Sequence, residues 1–262
     1  MKECRDLRVT AVEFPAEGYV LLKLTDTECP LPPIRAGQFV EVRIDDSAHT
    51  FLRRPISINY VDSAANTLWL LVQVVGNGTR WLSRLGVGQS LNIVFPLGNG
   101  FSPAAIGQRL LLVGGGVGMA PLLEYGRQLK AVGAIPIFLL GGRSASNILH
   151  LKLFEQLGTV AVTTEDGTLG TRGFVTDSPL LQQLLAAPGM PFSVACCGPK
   201  PMMMAVARWA KAHGVDCEVS LENMMACGLG ACLCCVEKTV QGNVCVCKEG
   251  PVFNINQLTW QI

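Results

Sequence analysis

Cys227, Cys232 and Cys235 stand in the spacing C-x4-C-x2-C, and Cys247 follows after eleven further residues. Thiolates spaced in this way match the plant-type loop that wraps a [2Fe-2S] cluster, in which two irons take four cysteine sulfurs. The residues between them suit the same chemistry. Gly228, Gly230 and Ala231 let backbone N–H groups close on inorganic sulfide with little or no Cβ in the way. A tetrahedral zinc site is the competing use of four cysteines. Zinc sites commonly pair two C-x2-C knuckles, and here only Cys232 and Cys235 have that spacing. Spacing alone leaves the fourth ligand open. Cys245 lies two residues before Cys247 and shares its face if the segment is extended, whereas Cys234, beside Cys235, faces away.

The thiols are concentrated: seven of the eleven cysteines follow residue 216. The opening MKECRDLRVTAVEF is charged through its first eight residues and has no long apolar core of a signal peptide. A cytosolic location is therefore expected. Structural disulfides are uncommon there, so the thiols read as a metal or redox module joined to a cysteine-poor body. The chain has 262 residues, enough for two or three small domains. Its 21 basic and 20 acidic residues nearly cancel, which gives no case for a nucleic-acid or membrane-surface partner. Tracts such as LLLVGGG and IPIFLLGG are too short to span a bilayer, and no apolar run reaches 18 residues.

Such a module needs elements to position it. From Leu7 to Phe95 short alternating runs occur at 38–45, 67–75 and 89–96, separated by PLPP (30–33), DSAAN (62–66) and GNG (76–78). Many short strands with turn signals between them predict an antiparallel barrel or sandwich. Two places in it have spare chemistry. In FLRRPISI (51–58) the pair Arg53–Arg54 precedes Pro55, and an arginine fork there either grips a diphosphate or lies solvated on an edge strand. Ser57 is placed to hydrogen-bond a flat heterocycle. In VVGNGTRWL (74–82), Gly76 and Gly78 bare the backbone, and Thr79 is expected to cap a short helix, TRWLSRL. The alternative there is an ordinary strand–turn–helix connection.

From residue 108 the pattern becomes strand, glycine loop, helix, strand. Leu122, Leu123, Tyr125 and Leu129 mark the buried face of the helix. Further strands are predicted at 160–165 and 192–199, with helices at 178–187 and 199–214, giving an open, doubly wound parallel α/β sheet. The loop GGGVGMAP (114–121) reads G-x-G-x-x-P from Gly116 to Pro121, with Gly114 ahead of it. It follows an apolar strand and opens a helix, as a phosphate-cradling loop does. Cys197 and Gly198 fall at another strand's carboxyl end, where doubly wound sheets bind ligands. Cys196, Cys217 and Met202 to Met204 read as packing residues.

RPIS (54–57), GT (78–79), PLGNGF (96–101), GGGVGMAP (114–121) and CGPKPM (197–202) resemble the ferredoxin–NAD(P) reductase-type flavoproteins. With MACGLGACLCC and CKEGPVF (247–253) added, the chain is similar over nearly its whole length to the electron-transfer subunits of class 1B dihydroorotate dehydrogenase. The resemblance implies a FAD-binding β-barrel at 1–102, an NAD-binding α/β domain at 103–215 and a small [2Fe-2S] domain at 216–262. It implies that Arg54, Pro55, Ile56 and Ser57 hold FAD, with Ser57 and Cys197 in the region of the reactive flavin N5. Leu71, Val72 and Gln73 would line the FAD, and Gly78 and Thr79 would bind its diphosphate. Gly114, Gly116, Gly118, Cys197 and Gly198 are the matching NAD positions. The cluster ligands it implies are Cys227, Cys232, Cys235 and Cys247, the last identified by the Lys-Glu-Gly-Pro-Val-Phe that follows.

The resemblance also implies a relay in pyrimidine (UMP) biosynthesis. A separate FMN-containing catalytic subunit oxidises dihydroorotate, and single electrons cross the cluster to FAD, which passes a hydride to NAD+. The expected assembly is a heterotetramer of two chains of each kind. Three other readings remain. The small subunit of an NADH-dependent ferredoxin:NADP reductase or sulfide dehydrogenase is similar in fold, but that group has aspartate at the first cluster position, where this chain has Cys227. A non-catalytic, zinc-stabilised interaction subunit would have no use for RPIS and GT. A free-standing flavin reductase would have no use for the tail. Arg143 and Ser144 follow the second α/β strand and suit a 2′-phosphate, so NAD over NADP rests on the resemblance; Glu165 and Asp166 are placed for a ribose or for solvent.

Overall fold

The computed structural model describes residues 2–45, 50–187 and 189–260. Along β1 (Glu3–Glu13) Leu7 and Val9 are buried between exposed neighbours, the period-two burial of a strand with one solvated face. β1, β2 (Tyr19–Thr25), β3 (Phe39–Val42), β4 (Arg54–Asp62), β5 (Thr67–Gln73) and β6 (Ser90–Leu97) close an antiparallel barrel in the order β1-β2-β5-β4-β3-β6. β2 and β5 do not alternate, because both of their faces are covered. Val20, Leu22, Leu68, Leu70 and Val72 fill the barrel, while Tyr19, Leu21 and Leu71 pack outward against Ala120 and Leu149. The short helix α1 (Asn77–Leu82) follows β5.

The second unit is a sheet in the order β10-β9-β8-β7-β11-β12-β15. Its strands are β7 (Arg109–Gly115), β8 (Ile135–Gly142), β9 (Thr159–Thr164), β10 (Thr171–Arg172), β11 (Phe192–Cys197), β12 (Cys217–Ser220) and β15 (Val252–Asn254). All pairings are parallel except β12 with β15. Strands from either side of residue 215 thus share one sheet. α2 (Ala120–Ala131), α3 (Leu151–Leu157), α4 (Pro179–Ala186) and α5 (Lys200–Ala212) accompany it, and α2 buries Leu122, Leu123, Tyr125 and Leu129 as their spacing predicts. Chain order reverses between β7 and β11, so the sheet's ligand-binding crevice lies above that pair.

Residues 221–235 form an irregular loop. The hairpin β13 (Val236–Thr239)–β14 (Gly242–Cys245) and the one-turn helix α6 (Val246–Glu249) lead from it back to β15. Asn99 of PLGNGF ties this segment to the barrel: its amide donates to the Lys248 and Glu249 carbonyls, and its N–H to Gly250 O. No helix among the described residues is long and apolar enough to cross a membrane.

One face of α2 fastens the α/β unit to the barrel. Val61 N–H donates to Glu124 Oε2 at 3.0 Å, Asn59 Nδ2 to Ala120 O at 3.0 Å, and Gln128 Nε2 to Ile34 O at 3.0 Å. Glu124 is fully buried and also accepts from Arg127 and Gln128. Removing one member of such a network strands the others away from water. Glu124→Ala is therefore expected to cost about 3 kcal/mol in urea unfolding of the cofactor-loaded protein. A loss below about 1 kcal/mol, the worth of a surface pair, would show that Glu124 does not hold the joint.

Candidate functional site

The carboxyl ends of β7, β8, β9 and β11 open on a cavity of about 610 Å³ whose opposite wall includes Tyr19 and Gln73 of the barrel. Gly115, Gly116 and Gly118 line it. A Cβ on Gly118 would meet Cys197 O and the Gly198 backbone at 2.5 Å, so this glycine lets the β7 and β11 loops cross. Gly116 has φ +56° and open space around its Cα, leaving bare backbone at the cavity. Gly114 is not in the wall; it packs beneath Leu122 and Met119. Cys197 lies under the floor, buried, its thiol pushed well above its ordinary range by that burial. Cys196, Cys217 and Met203 are buried in the core, in keeping with packing roles. Met202 packs against the same core and also lines the cavity, where its sulfur would touch a side chain at position 115.

Arg143 and Glu165 line this cavity as well. Arg143 is close enough to Tyr19 to oppose the upward push of burial on the tyrosine hydroxyl. Ser144 and Asp166 are engaged locally, Ser144 with Ser146 and Asn147, Asp166 with Thr168.

On the barrel side, β4 presents Arg54, Pro55, Ile56 and Ser57, all half-buried. Gly78 is packed so closely on Arg54 that a Cβ would lie 2.7 Å from Nε. The arginine strand and the glycine turn therefore meet, as two sides of one diphosphate site require. Among the described residues the Arg54 guanidinium hydrogen-bonds to the neighbouring Leu52 and Arg53 carbonyls through Nη1, which leaves donors for an anion. The fork expected from Arg53 and Arg54 does not form, because Arg53 turns inward to Asn92 Oδ1 at 2.5 Å and to the Glu41 and Asn92 carbonyls. Thr79 is not the helix cap either. Gly76 is, and the Thr79 hydroxyl reaches back to accept the Val75 and Gly76 N–H groups. Leu71 and Val72 point their side chains into the joint and the barrel core, so only their backbone is available to a ligand, whereas Gln73 reaches the cavity.

The cysteine loop is seated on the outside of the barrel. Gly228 (φ +66°) rests on Glu41 of β3, where a Cβ would come within 2.7 Å of Glu41 Cγ. Three backbone N–H groups donate to sulfur: Leu229 to Cys227, Gly230 to Cys247 and Cys247 to Cys235. Cys232 acts on the Cys227 thiol, and Cys235 and Cys227 both act on that of Cys247, so the four thiols neighbour one another. The Leu229 N–H lowers the Cys227 thiol to about 6, into its ligating thiolate form at neutral pH. Burial pushes Cys247 up to about 12, a cost that a bound cation would offset. Among the described residues no three His, Cys, Asp or Glu side chains are gathered as a single ion would need. Backbone N–H groups on three of the four sulfurs are the surroundings an iron–sulfur loop supplies.

Cys245 and Cys247 do not share a face. The strand ends at Cys245, α6 begins, and the Cys245 thiol turns to the Gly230 carbonyl at 3.7 Å. Cys234 is exposed where Cys235 is buried. Glu41 is a residue the spacing did not single out. In FVEV it alternates with inward valines and reads as solvated, yet it is fully buried under the loop, with neither carboxylate oxygen hydrogen-bonded. Burial raises it to about 7, with Arg53 pulling the other way. The only sequence signal for it is remote, the glycine at 228.

A family model described as the iron-sulfur cluster binding domain of dihydroorotate dehydrogenase B matches residues 222–259. The dihydroorotate dehydrogenase B (NAD(+)) electron transfer subunit of Fusobacterium nucleatum is 38% identical over 231 residues, 86% of each chain. That of Lysinibacillus sphaericus is 39% identical over 225 residues, 83% of this chain and 84% of its own. Among solved structures, a chain of an NADH-dependent reduced ferredoxin-NADP oxidoreductase superposes with a TM-score of 0.83 at 27% identity, covering 97% of this chain and 90% of that one. The ferredoxin reductase of carbazole 1,9a-dioxygenase shares the fold, with a TM-score of 0.69 at 21% identity over 82% of this chain and 67% of its own. This barrel, crevice and cysteine loop belong to a chain of the dihydroorotate dehydrogenase B (NAD(+)) electron transfer subunit family.

Proposed function

We propose that the chain moves electrons between a separate dihydroorotate-oxidising subunit and NAD+, using FAD at the barrel and a [2Fe-2S] cluster in the C-terminal loop. When bound, the cluster supplies one-electron transfer and the flavin the exchange between single electrons and a hydride. Cys227, Cys232, Cys235 and Cys247 would hold the irons, and the Leu229 and Gly230 N–H groups would support the sulfurs. Arg54, Gly78 and Thr79 would take the FAD diphosphate, with Pro55, Ile56 and Ser57 along the same strand and the backbone of Leu71 and Val72 beside Gln73. Gly116, Gly118 and Gly198 would bring backbone up to the dinucleotide, and Gly114 and Cys197 would support that floor from beneath. The domains in this reading are 1–102, 103–215 and 216–262, with β12 and β15 of the last lent to the middle sheet.

The observation that carries this reading is adjacency. The cysteine loop rests on β3 through Gly228 and Glu41, β3 pairs with the strand that bears Ser57, and Gln73 of the same barrel faces the dinucleotide cavity. The partner would be an FMN-containing catalytic chain, two of each, docking over the exposed Met224, Leu229 and Leu233 around the loop. An anaerobic visible spectrum of the purified chain tests the proposal. Flavin and iron–sulfur bands should bleach with NADH, and, once the catalytic chain is added, with dihydroorotate. Flavin bands without iron–sulfur absorbance, or bleaching by NADPH in preference to NADH, would overturn it.

A further inference from the structure

Two buried side chains stand between the cysteine loop and the strand that bears Ser57. Gly228, next to Cys227, lies against Leu97 of β6, where a Cβ would come within 2.9 Å of Leu97 Cδ1. Leu97 pairs in register with Phe39 of β3, and Phe39 pairs on its other side with Ser57 of β4. Directly paired residues share a face of a sheet, so Leu97, Phe39 and Ser57 form one row across the outside of the barrel. Val40 and Val42 point the other way, into the barrel core. The row is dry: Leu97 is 0% and Phe39 3% exposed, and both belong to a buried cluster that also holds Cys235 and Cys247. Among the described residues Phe39 is the one aromatic side chain that the barrel contributes to this cluster. Gly98 (φ +74°) lets its ring come up to the proline of CKEGPVF, since a Cβ at 98 would meet Pro251 Cδ at 2.6 Å and Phe39 Cε1 at 2.9 Å. The neighbouring row also touches Gly228, through Glu41, but it reaches β4 at Pro55 and not at Ser57.

We propose that Phe39, with Leu97 behind it, is the bridge that couples the cluster to the flavin. It is a positioning residue: it fills the route between the two groups and fixes its length. The assignment rests on the function proposed above. From Leu97 to Ser57 is two strand spacings, about 10 Å. One electron at a time leaves the reduced cluster and enters the flavin, with no bond made or broken. The dihydroorotate-oxidising chain supplies the electrons, and NAD+ takes them in pairs as hydride. Tunnelling weakens steeply across a gap, and a ring packed as closely as in a crystal leaves none. A smaller side chain opens a void that its neighbours close only in part.

The test uses the chain loaded with FAD and cluster, and reads the electron's passage apart from hydride transfer. A flash-reduced deazaflavin delivers one electron, and the flavin and iron–sulfur bands follow its redistribution between the two groups. Phe39→Ala should slow this redistribution by roughly ten- to a hundredfold, the scale of about 1 Å of misplacement between reacting groups. Phe39→Leu should fall between the variant and the unaltered chain. Flavin bleaching by NADH should be unchanged in both. Phe138→Leu, which removes ring volume inside the α/β unit, should leave the redistribution as it was. An unchanged rate in Phe39→Ala with flavin and iron at full content overturns the bridge. So does a shift in either midpoint potential that accounts for the slower rate, and so does an equal loss in bleaching by NADH, which would place Phe39 in the flavin site. If Phe39→Ala does not keep both groups, Phe39→Leu carries the test with the same outcomes. An unaltered chain that takes up no flavin or no cluster would instead overturn the proposed function, and the bridge with it.

Discussion

Replacing any one of Cys227, Cys232, Cys235 or Cys247 by serine is expected to abolish the iron–sulfur absorbance, whereas Cys234→Ser and Cys245→Ser retain it. A serine hydroxyl at neutral pH is a poor substitute for thiolate toward iron, and each iron here would have only one pair of sulfurs, so one loss leaves an iron half-ligated. Cys245 is the sharp control. It lies as near to the loop as Cys247, but its thiol points to the Gly230 carbonyl, while the Gly230 N–H points to Cys247 sulfur. Iron and acid-labile sulfide per chain should fall at least tenfold in the four variants. FAD content should hold, because the residues proposed for the flavin lie on β4, at the end of β5 and around α1, and none is in the loop. Retention of full iron by Cys247→Ser together with its loss in Cys245→Ser would exchange the two assignments. Loss in all six variants would show that the loop needs its thiols for folding.

What could be read from the sequence was local chemistry and periodicity. The cysteine spacing lies within one loop. The strand–glycine–helix signature lies within one crossover, and the burial of Leu122, Leu123, Tyr125 and Leu129 follows from one helical period. What could not be read depends on what covers a residue from outside its own segment. Glu41 occupies the solvent phase of an alternating strand and becomes buried only because a loop 187 residues later in the chain settles on it (Gly228 against Glu41). Arg53 and Arg54 are adjacent and chemically alike, and their fates separate where the chain enters β4: Arg53, just before the strand, reaches Asn92, while Arg54, its first residue, lies against Gly78. Leu71 and Val72, successive residues of β5, face opposite ways, one into the joint and one into the barrel core. Cys245 and Cys247 fall out of phase because the strand gives way to a helical turn between them, a change that no spacing rule announces.

That separation makes the second large effect specific. Arg54→Ala is expected to weaken FAD retention by roughly ten- to a hundredfold, the range of one or two charge-assisted hydrogen bonds to a diphosphate. The unaltered chain should keep FAD through gel filtration and the variant should shed it. Arg54→Lys should recover only part, since an ammonium supplies charge without the planar pair of donors. Arg53→Ala distinguishes this from mere loss of positive charge. It removes a guanidinium one residue away but leaves the Arg54–Gly78 contact in place. Its cost should appear in barrel stability, because the Glu41 and Asn92 carbonyls and Asn92 Oδ1 each lose a donor. Equal FAD loss in both variants would mean that the strand's charge, not the arginine facing the glycine turn, holds the flavin. FAD retained by Arg54→Ala would remove this arginine from the diphosphate site and leave the turn at Gly78 to bind it alone. The iron–sulfur content of Arg54→Ala is the remaining readout. With the four cysteines untouched it should stay full, so that loss of flavin and loss of cluster, each produced by a change in a different segment, are separable in one chain.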